Sequence, residues 1–135
     1  MKTRIYTDGG CFPNPGRGGW GFVVVQNGKE IHRGSGKEKF TTNNRMELTA
    51  VIKGLEYVNK KNVVVYSDSR YITDAFNKHW VDSWVKTGFK NGTIKNMDLW
   101  MRLMLLNEKL APTFKWVRGH SGDKFNEIAD RLASR

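Results

Sequence analysis

Arg4-Ile5-Tyr6-Thr7-Asp8 and Asn62-Val63-Val64-Val65-Tyr66-Ser67-Asp68 decide the fold. The first reads as a strand ending in an aspartate. The second carries a continuous apolar run, the pattern of a strand buried on both faces, as in a parallel pair. Between them lies a helix over 42–59, with Met46, Ala50, Leu55 and Val58 among its apolar positions. Strand, helix and strand make a right-handed crossover, which sets the first and fourth strands parallel. Asp8 and Asp68 then emerge at one edge of the sheet, where open α/β sheets place their ligands. Each is also an ordinary turn former, since Asp8-Gly9-Gly10 and Asp68-Ser69 are common turn sequences.

Outward from this unit, 9–19 reads as a turn-rich stretch with Pro13, Pro15 and several glycines. A second strand is predicted over 20–25, and Asn27-Gly28 is a hairpin signal. The third strand, over 30–35, runs antiparallel to the second. After the fourth strand, 71–77 and 80–85 read as helical and 88–92 as loop. Asn96 or Asp98 can cap a helix to about 109, which Pro112 stops. A fifth strand over 113–117, a loop over 119–124 and a helix over 126–134 complete the chain. The expectation is an α/β fold with a mixed five-stranded sheet and helices on both faces.

The chain has 135 residues, a length that suits one domain with a core of its own. Its 39% hydrophobic content excludes a disordered chain. No apolar run approaches the ~20 residues needed to cross a bilayer, and the start shows no signal-peptide pattern. A cytoplasmic protein without membrane contact is expected. Cys11 is the only cysteine, which excludes an intramolecular disulfide and a Cys-based zinc site. The net charge of +10 fits a polyanionic partner. A cationic protein without a specific partner has the same charge.

Several residues invite a chemical reading, each beside a plainer one. Glu47 is placed in the first turn of the long helix, where Asn44-x-x-Glu47 resembles a capping box. Asn126 and Asp130, four apart, share one helix face, while Ile128 and Leu132 share another that packs on the core. Alone, Asp130 reads as a solvated helix charge. His120 sits in the glycine-rich loop Gly119-His120-Ser121-Gly122-Asp123; His32 and His79 read as structural. Phe76, Trp80 and Trp84 recur at helical spacing, the first two as an apolar face. Trp84, followed by Lys86, Lys90 and Lys95, suits a nucleic-acid groove.

Thr7-Asp8-Gly9-Gly10-Cys11, Asn14-Pro15-Gly16, Thr41-Thr42-Asn43-Asn44-Arg45-Met46-Glu47-Leu48, Ser67-Asp68-Ser69, Lys95-Asn96-Met97-Asp98-Leu99-Trp100, Trp116-Val117-Arg118-Gly119-His120 and Asn126-Glu127-Ile128-Ala129-Asp130 follow in order along nearly the whole chain. Together they resemble type 1 ribonuclease H in its bacterial-like single-domain form. The resemblance implies a ribonuclease H-like fold, with 1–135 as one catalytic domain that cuts the RNA strand of RNA·DNA hybrids. It implies that Asp8, Glu47, Asp68 and Asp130 form a metal-binding tetrad. His120 would assist proton transfer or product release from a mobile catalytic loop. Asn14, Asn43, Asn44 and Arg70 would face the minor groove near RNA 2′-hydroxyls. Thr42 and Asn96 would hold a DNA phosphate, Cys11 would lie near the hybrid, and Trp84 would line the DNA-strand channel. The sequence departs from the family pattern in three places. The basic segment between Trp84 and Asn96 is short, Arg70 stands where many members carry Gln, and the chain ends soon after Asp130.

The chemistry is coherent with that assignment. Clustered carboxylates repel one another without a cation. Two Mg²⁺ ions roughly 4 Å apart, with Mn²⁺ as a substitute, activate water and stabilise the departing 3′ oxygen. The expected products carry 5′-phosphate and 3′-hydroxyl ends. RNA is told from DNA by its 2′-hydroxyls, and backbone contacts carry no direct base information. A monomer without an obligate protein partner is expected. Rival readings are a non-catalytic hybrid-binding module, another nuclease or integrase on the same fold, and a domain cut from a reverse transcriptase.

Overall fold

The structure is a computed structural model and describes residues 2–119 and 122–134. Strands β1 (Thr3–Cys11), β2 (Gly16–Gln26) and β3 (Lys29–Thr41) form an antiparallel meander. Helix α1 (Asn43–Val58) crosses back to β4 (Val64–Ser67), which pairs parallel to β1. Helices α2 (Arg70–Asn77) and α3 (Trp80–Lys86), the helical turn α4 (Gly88–Gly92) and α5 (Met97–Leu110) lead to β5 (Thr113–Trp116), parallel to β4. Helix α6 (Lys124–Ser134) follows. The sheet order is β3-β2-β1-β4-β5, the mixed five-stranded sheet expected from the sequence.

Period-two alternation divides the core between the two faces. Ile5, Phe22 and Val24 pack against Leu48, Val51, Ile52 and Leu55 of α1 and Trp100 and Leu103 of α5. Tyr6, Val23 and Val25 point the other way, onto Ile128, Ala129 and Leu132 of α6. Each fully buried side chain of this size contributes about 1.5–3 kcal/mol. Helices on both faces explain the unbroken apolar runs 22–25 and 63–65.

The three N-terminal strands run further than the sequence predicts. Strand β1 continues through Gly9 and Gly10 to Cys11, and β2 begins at Gly16, where a turn-rich stretch is expected. Glycine here serves close approach rather than turning. A Cβ on Gly9 would collide with the backbone of Met46 in α1, and one on Gly19 with the Ala133 carbonyl of α6. Strand β3 extends to Thr41 because Gly34 and Gly36 make room for the rings of Phe22 and Trp20 on the adjacent strand.

Caps and turns differ too. Thr42, not Asn44, caps α1, its hydroxyl accepting from the Arg45 amide at 3.2 Å. Asn96 is the N-cap residue of α5, in left-handed conformation and without a side-chain cap bond. Helix α6 starts two residues early because the Asp123 carboxylate accepts from the amides of Phe125 and Asn126 at 3.0 and 3.2 Å. The expected loop 88–92 is a left-handed turn, with Phe89, Lys90 and Asn91 at φ of 56°, 51° and 58°.

Gly21 pairs with Asp8 across β1 and β2, and lies directly under α6. A Cβ there would stand 2.5 Å from Leu132 Cβ and 3.0 Å from the Ala129 carbonyl oxygen. Gly21→Ala is therefore expected to cost about 1–3 kcal/mol by overpacking. A urea midpoint equal to the wild type would show that α6 does not press on the sheet this closely.

Candidate active site

The crossover delivers the two aspartates as its topology demands. In the parallel pairing Thr7 lies opposite Ser67, so Asp8 and Asp68 come next on adjacent strands at the same edge. Asp8 does not end β1, which runs three residues further, but Asp68 does follow β4 directly. Glu47 lies beyond the first turn of α1, which holds no acidic residue, so the capping box read from its spacing does not form. It reaches the aspartates instead. Gly9 lets this part of α1 lie against β1, because any Cβ there would strike Met46 and Glu47 backbone atoms.

Carboxylate oxygens of Asp8, Glu47 and Asp68 all lie within 4.8 Å of one another. Asp130 is the fourth acid. It acts on Asp8 through a side-chain hydrogen bond and its charge, and with Asp8 lines a cavity of about 710 Å³ that extends toward β2 and β3. The tetrad is thus three convergent carboxylates with Asp130 beside Asp8. Asn126, on the same helix, is buried. His120 lies outside the described residues, but its neighbour Gly119 comes so near that a Cβ would sit 2.8 Å from Asp68 Oδ2.

The electrostatics of this arrangement are unfavourable without a cation. Asp8 is only 7% exposed, and burial first, then the Asp68 and Asp130 carboxylates, push its pKa up to about 8. Burial likewise raises Glu47 well above the usual carboxylate range, with Asp8 and Asp68 adding to it. Glu47 Oε1 is buried without a hydrogen-bond partner among the described residues, while the carboxyl group as a whole interacts with the Gly9 backbone and the Asp68 side chain. Such a buried oxygen among convergent carboxylates fits a hard divalent cation, which takes oxygen ligands.

A polar patch adjoins the acids on the β1–β2 side. Asn43 Oδ1 accepts from the Cys11 amide at 2.7 Å, and Asn14 Oδ1 accepts from the Asn43 amide at 3.3 Å. The Cys11 thiol donates to the Pro13 carbonyl and to Asn14 Oδ1, both at 3.4 Å. Asn44 is exposed at the start of α1. Thr42 and Asn96 are brought together through Arg45, whose amide bonds Thr42 and whose guanidinium donates to Asn96 Oδ1 at 3.3 Å. Asp98 grips Arg45 with both carboxylate oxygens, at 3.0 and 2.8 Å, and this holds the Asp98 pKa down to about 2. Asn96 also donates to the Tyr71 hydroxyl, as does the Trp100 indole. Arg45, Tyr71 and Asp98 are the residues of this network that sequence reasoning missed.

One aromatic expectation needs correction. Trp80 does not belong to an apolar face: it is 44% exposed, because the left-handed residue His79 turns the chain before α3. Trp84 is partly buried, set edge-on against Trp100 at 5.1 Å, and shares a cleft with Trp80, Ser83, Lys90 and Ile94. Arg70 lies on the β4–β5 side, its guanidinium 4.2 Å over the Trp116 ring.

The raised pKa values give a test. An acid whose folded pKa exceeds its unfolded value favours folding while protonated. Its contribution is full below the ordinary value of 3.8 and is lost as pH rises toward about 8. Metal-free Asp8→Asn is therefore expected to melt above the wild type, by a margin that grows between about pH 5 and pH 8. Adding Mg²⁺ should shrink the margin. A margin independent of pH would mean that Asp8 is not held at a cost.

The family model for RNase H matches residues 1–135. A "Ribonuclease H" of Lachnoclostridium phytofermentans is 49% identical over 143 residues, covering 99% of this chain and 90% of that protein. Among solved structures, LC9-RNase H1, described as a type 1 RNase H with the type 2 active-site motif, superposes with a TM-score of 0.82 at 34% identity, covering 98% of this chain and 70% of that one. LC11-RNase H1, solved in complex with an RNA/DNA hybrid, gives 0.76 at 25% identity, covering 98% and 94%. With its convergent carboxylates at the parallel-strand edge, this chain belongs to the ribonuclease H family, metal-dependent nucleases that cleave the RNA strand of RNA·DNA hybrids.

Proposed function

We infer that this member of the family cuts RNA in RNA·DNA hybrids at the Asp8–Glu47–Asp68–Asp130 cluster, leaving 5′-phosphate and 3′-hydroxyl ends. The observation that carries the reading is the convergence of three carboxylates within 4.8 Å, one of whose oxygens, Glu47 Oε1, is buried with no partner among the described residues. Asp8, Glu47 and Asp68 are the proposed cation ligands, with Asp130 closing the site beside Asp8. Two Mg²⁺ ions are the proposed cofactor, with Mn²⁺ as a substitute. When bound, such ions supply Lewis-acid activation of the attacking water and stabilise the departing 3′ oxygen. His120 is proposed to assist proton transfer or product release.

The chain's own groups supply the selectivity. Asn43 spends its carbonyl oxygen on the Cys11 amide, so its amide nitrogen is the atom offered to a 2′-oxygen. Asn14, Asn44 and Cys11 extend that surface. Thr42 and Asn96, joined through Arg45, are the proposed DNA-phosphate pair. Asp98 neutralises much of the Arg45 charge, so Arg45 serves here to hold Asn96 in place. Trp84 backs the cleft on the α3 side as the proposed wall of the DNA channel. The net charge of +10 supplies the sequence-independent attraction. We propose a single catalytic domain that acts as a monomer in the cytoplasm. Among the described residues no helix is long and apolar enough to cross a membrane.

A labelled RNA·DNA hybrid, with duplex RNA, duplex DNA and single-stranded RNA as controls, tests the assignment in Mg²⁺ and in EDTA. Metal-dependent cutting of the hybrid's RNA strand alone is expected. A 2′,3′-cyclic phosphate end would contradict it, because the 2′-hydroxyl would then be the nucleophile. Asp8→Asn is expected to abolish cutting while hybrid binding stays within about threefold, since one buried carboxylate adds little to a basic surface. Normal cutting by that variant would refute the site.

A further inference from the structure

The sheet order divides the surface around the carboxylates. Cys11, Asn14 and Asn43 lie on the β1–β2 side, and the cluster sits where β1 meets β4. The remaining side, at the ends of β4 and β5, is occupied by Arg70 and Trp116. Trp116 is the last residue of β5, opposite Ser67 in the parallel ladder. Its indole Nε1–H donates to the Asp68 carbonyl oxygen at 3.0 Å, so the ring is fixed across the exit of β4. The Arg70 guanidinium lies 4.2 Å above that ring, with Asp74 Oδ1 3.8 Å from Nη1. A long side chain at an exposed helix start ordinarily samples many rotamers. Here the guanidinium is held over a ring that is itself pinned, while the side chain remains 61% exposed.

We propose that Arg70, held over Trp116, is a phosphate site for the RNA strand, one step from the scissile phosphate on the side away from the asparagines. The inference rests on the ribonuclease H reading and adds a residue pair to it. A guanidinium held in place presents its N–H edge as a rigid fork, which matches a phosphate's two free oxygens. Arg70 lies two residues beyond Asp68, so a strand whose phosphate sits on the carboxylates passes this edge. Trp116 is a positioning residue: it acts on the strand through Arg70. Arg70 reads as a minor-groove contact by resemblance to family members with Gln. The arginine and its ring support give this chain a charge where Gln offers only an amide.

The test is hybrid binding in EDTA, where nothing is cut, read by fluorescence anisotropy over a salt series. Arg70→Gln is expected to weaken binding about tenfold and to flatten the slope of log affinity against log salt by about one. Arg70→Lys keeps the charge but loses the flat fork. It should retain the slope and lose most of the affinity. Trp116→Leu should cost nearly as much as Arg70→Gln, and the double variant no more than the larger single loss. Trp116→Phe, which keeps a ring face, should bind close to the wild type. Wild-type affinity in Arg70→Gln or Arg70→Lys would overturn the proposal. So would losses at 70 and 116 that add in full. Weaker binding with an unchanged slope would assign Arg70 to a 2′-hydroxyl and overturn the phosphate site. A wild-type protein that neither binds nor cuts the hybrid would overturn the functional reading itself, a result distinct from failure at Arg70.

Discussion

Three carboxylates, one buried and two half-buried, with oxygens within 4.8 Å of one another, repel each other, and the surrounding fold is arranged to keep them there. The force comes from close backbone packing at glycines. Gly9 lets α1 lie against β1 and carries Glu47 inward. Gly19 and Gly21 let α6 lie against β2, which brings Asp130 beside Asp8. Gly119 passes against Asp68. Apolar burial on the two sheet faces provides the free energy that offsets this repulsion. The repulsion is local, and a divalent cation held by these oxygens would relieve it.

From this centre the proposed substrate surface follows the order of the strands. Hydroxyl- and amide-bearing groups gather on the β1–β2 side, where Asn43 ties Cys11 and Asn14 into one unit. The α1–α5 side is governed by Arg45, which joins the cap of one helix to the start of the other. That link continues through Asn96 and Tyr71 to the buried Trp100, so a surface contact is anchored in the core. The β4–β5 side belongs to Arg70 and Trp116. On the proposed reading, selectivity and chemistry are carried by different elements around one sheet edge.

Much of this was legible in the sequence, for reasons particular to each segment. The run 63–65 and the helix before it fixed the crossover, and with it the meeting of Asp8 and Asp68. Glu47 was harder, because its spacing from Asn44 imitates a capping box; the real cap is Thr42, and Glu47 meets the two aspartates instead. The long N-terminal strands were hidden by glycines, which signal turns in a sequence but here admit helices and rings. The Arg45–Asp98 pair spans 53 residues, and no local pattern records it. The order of exposure of Trp80 and Trp84 depends on the left-handed His79, which their spacing cannot reveal. Family resemblance carried the tetrad further than topology alone, which reached only the two aspartates.

The most direct measurement of the central claim is anomalous diffraction from crystals of this protein soaked in Mn²⁺. The account predicts an anomalous peak among Asp8, Glu47 and Asp68, within bonding distance of Glu47 Oε1, and its loss in Asp8→Asn. Mn²⁺ bound elsewhere with this pocket empty, or bound here equally well in Asp8→Asn, would contradict it.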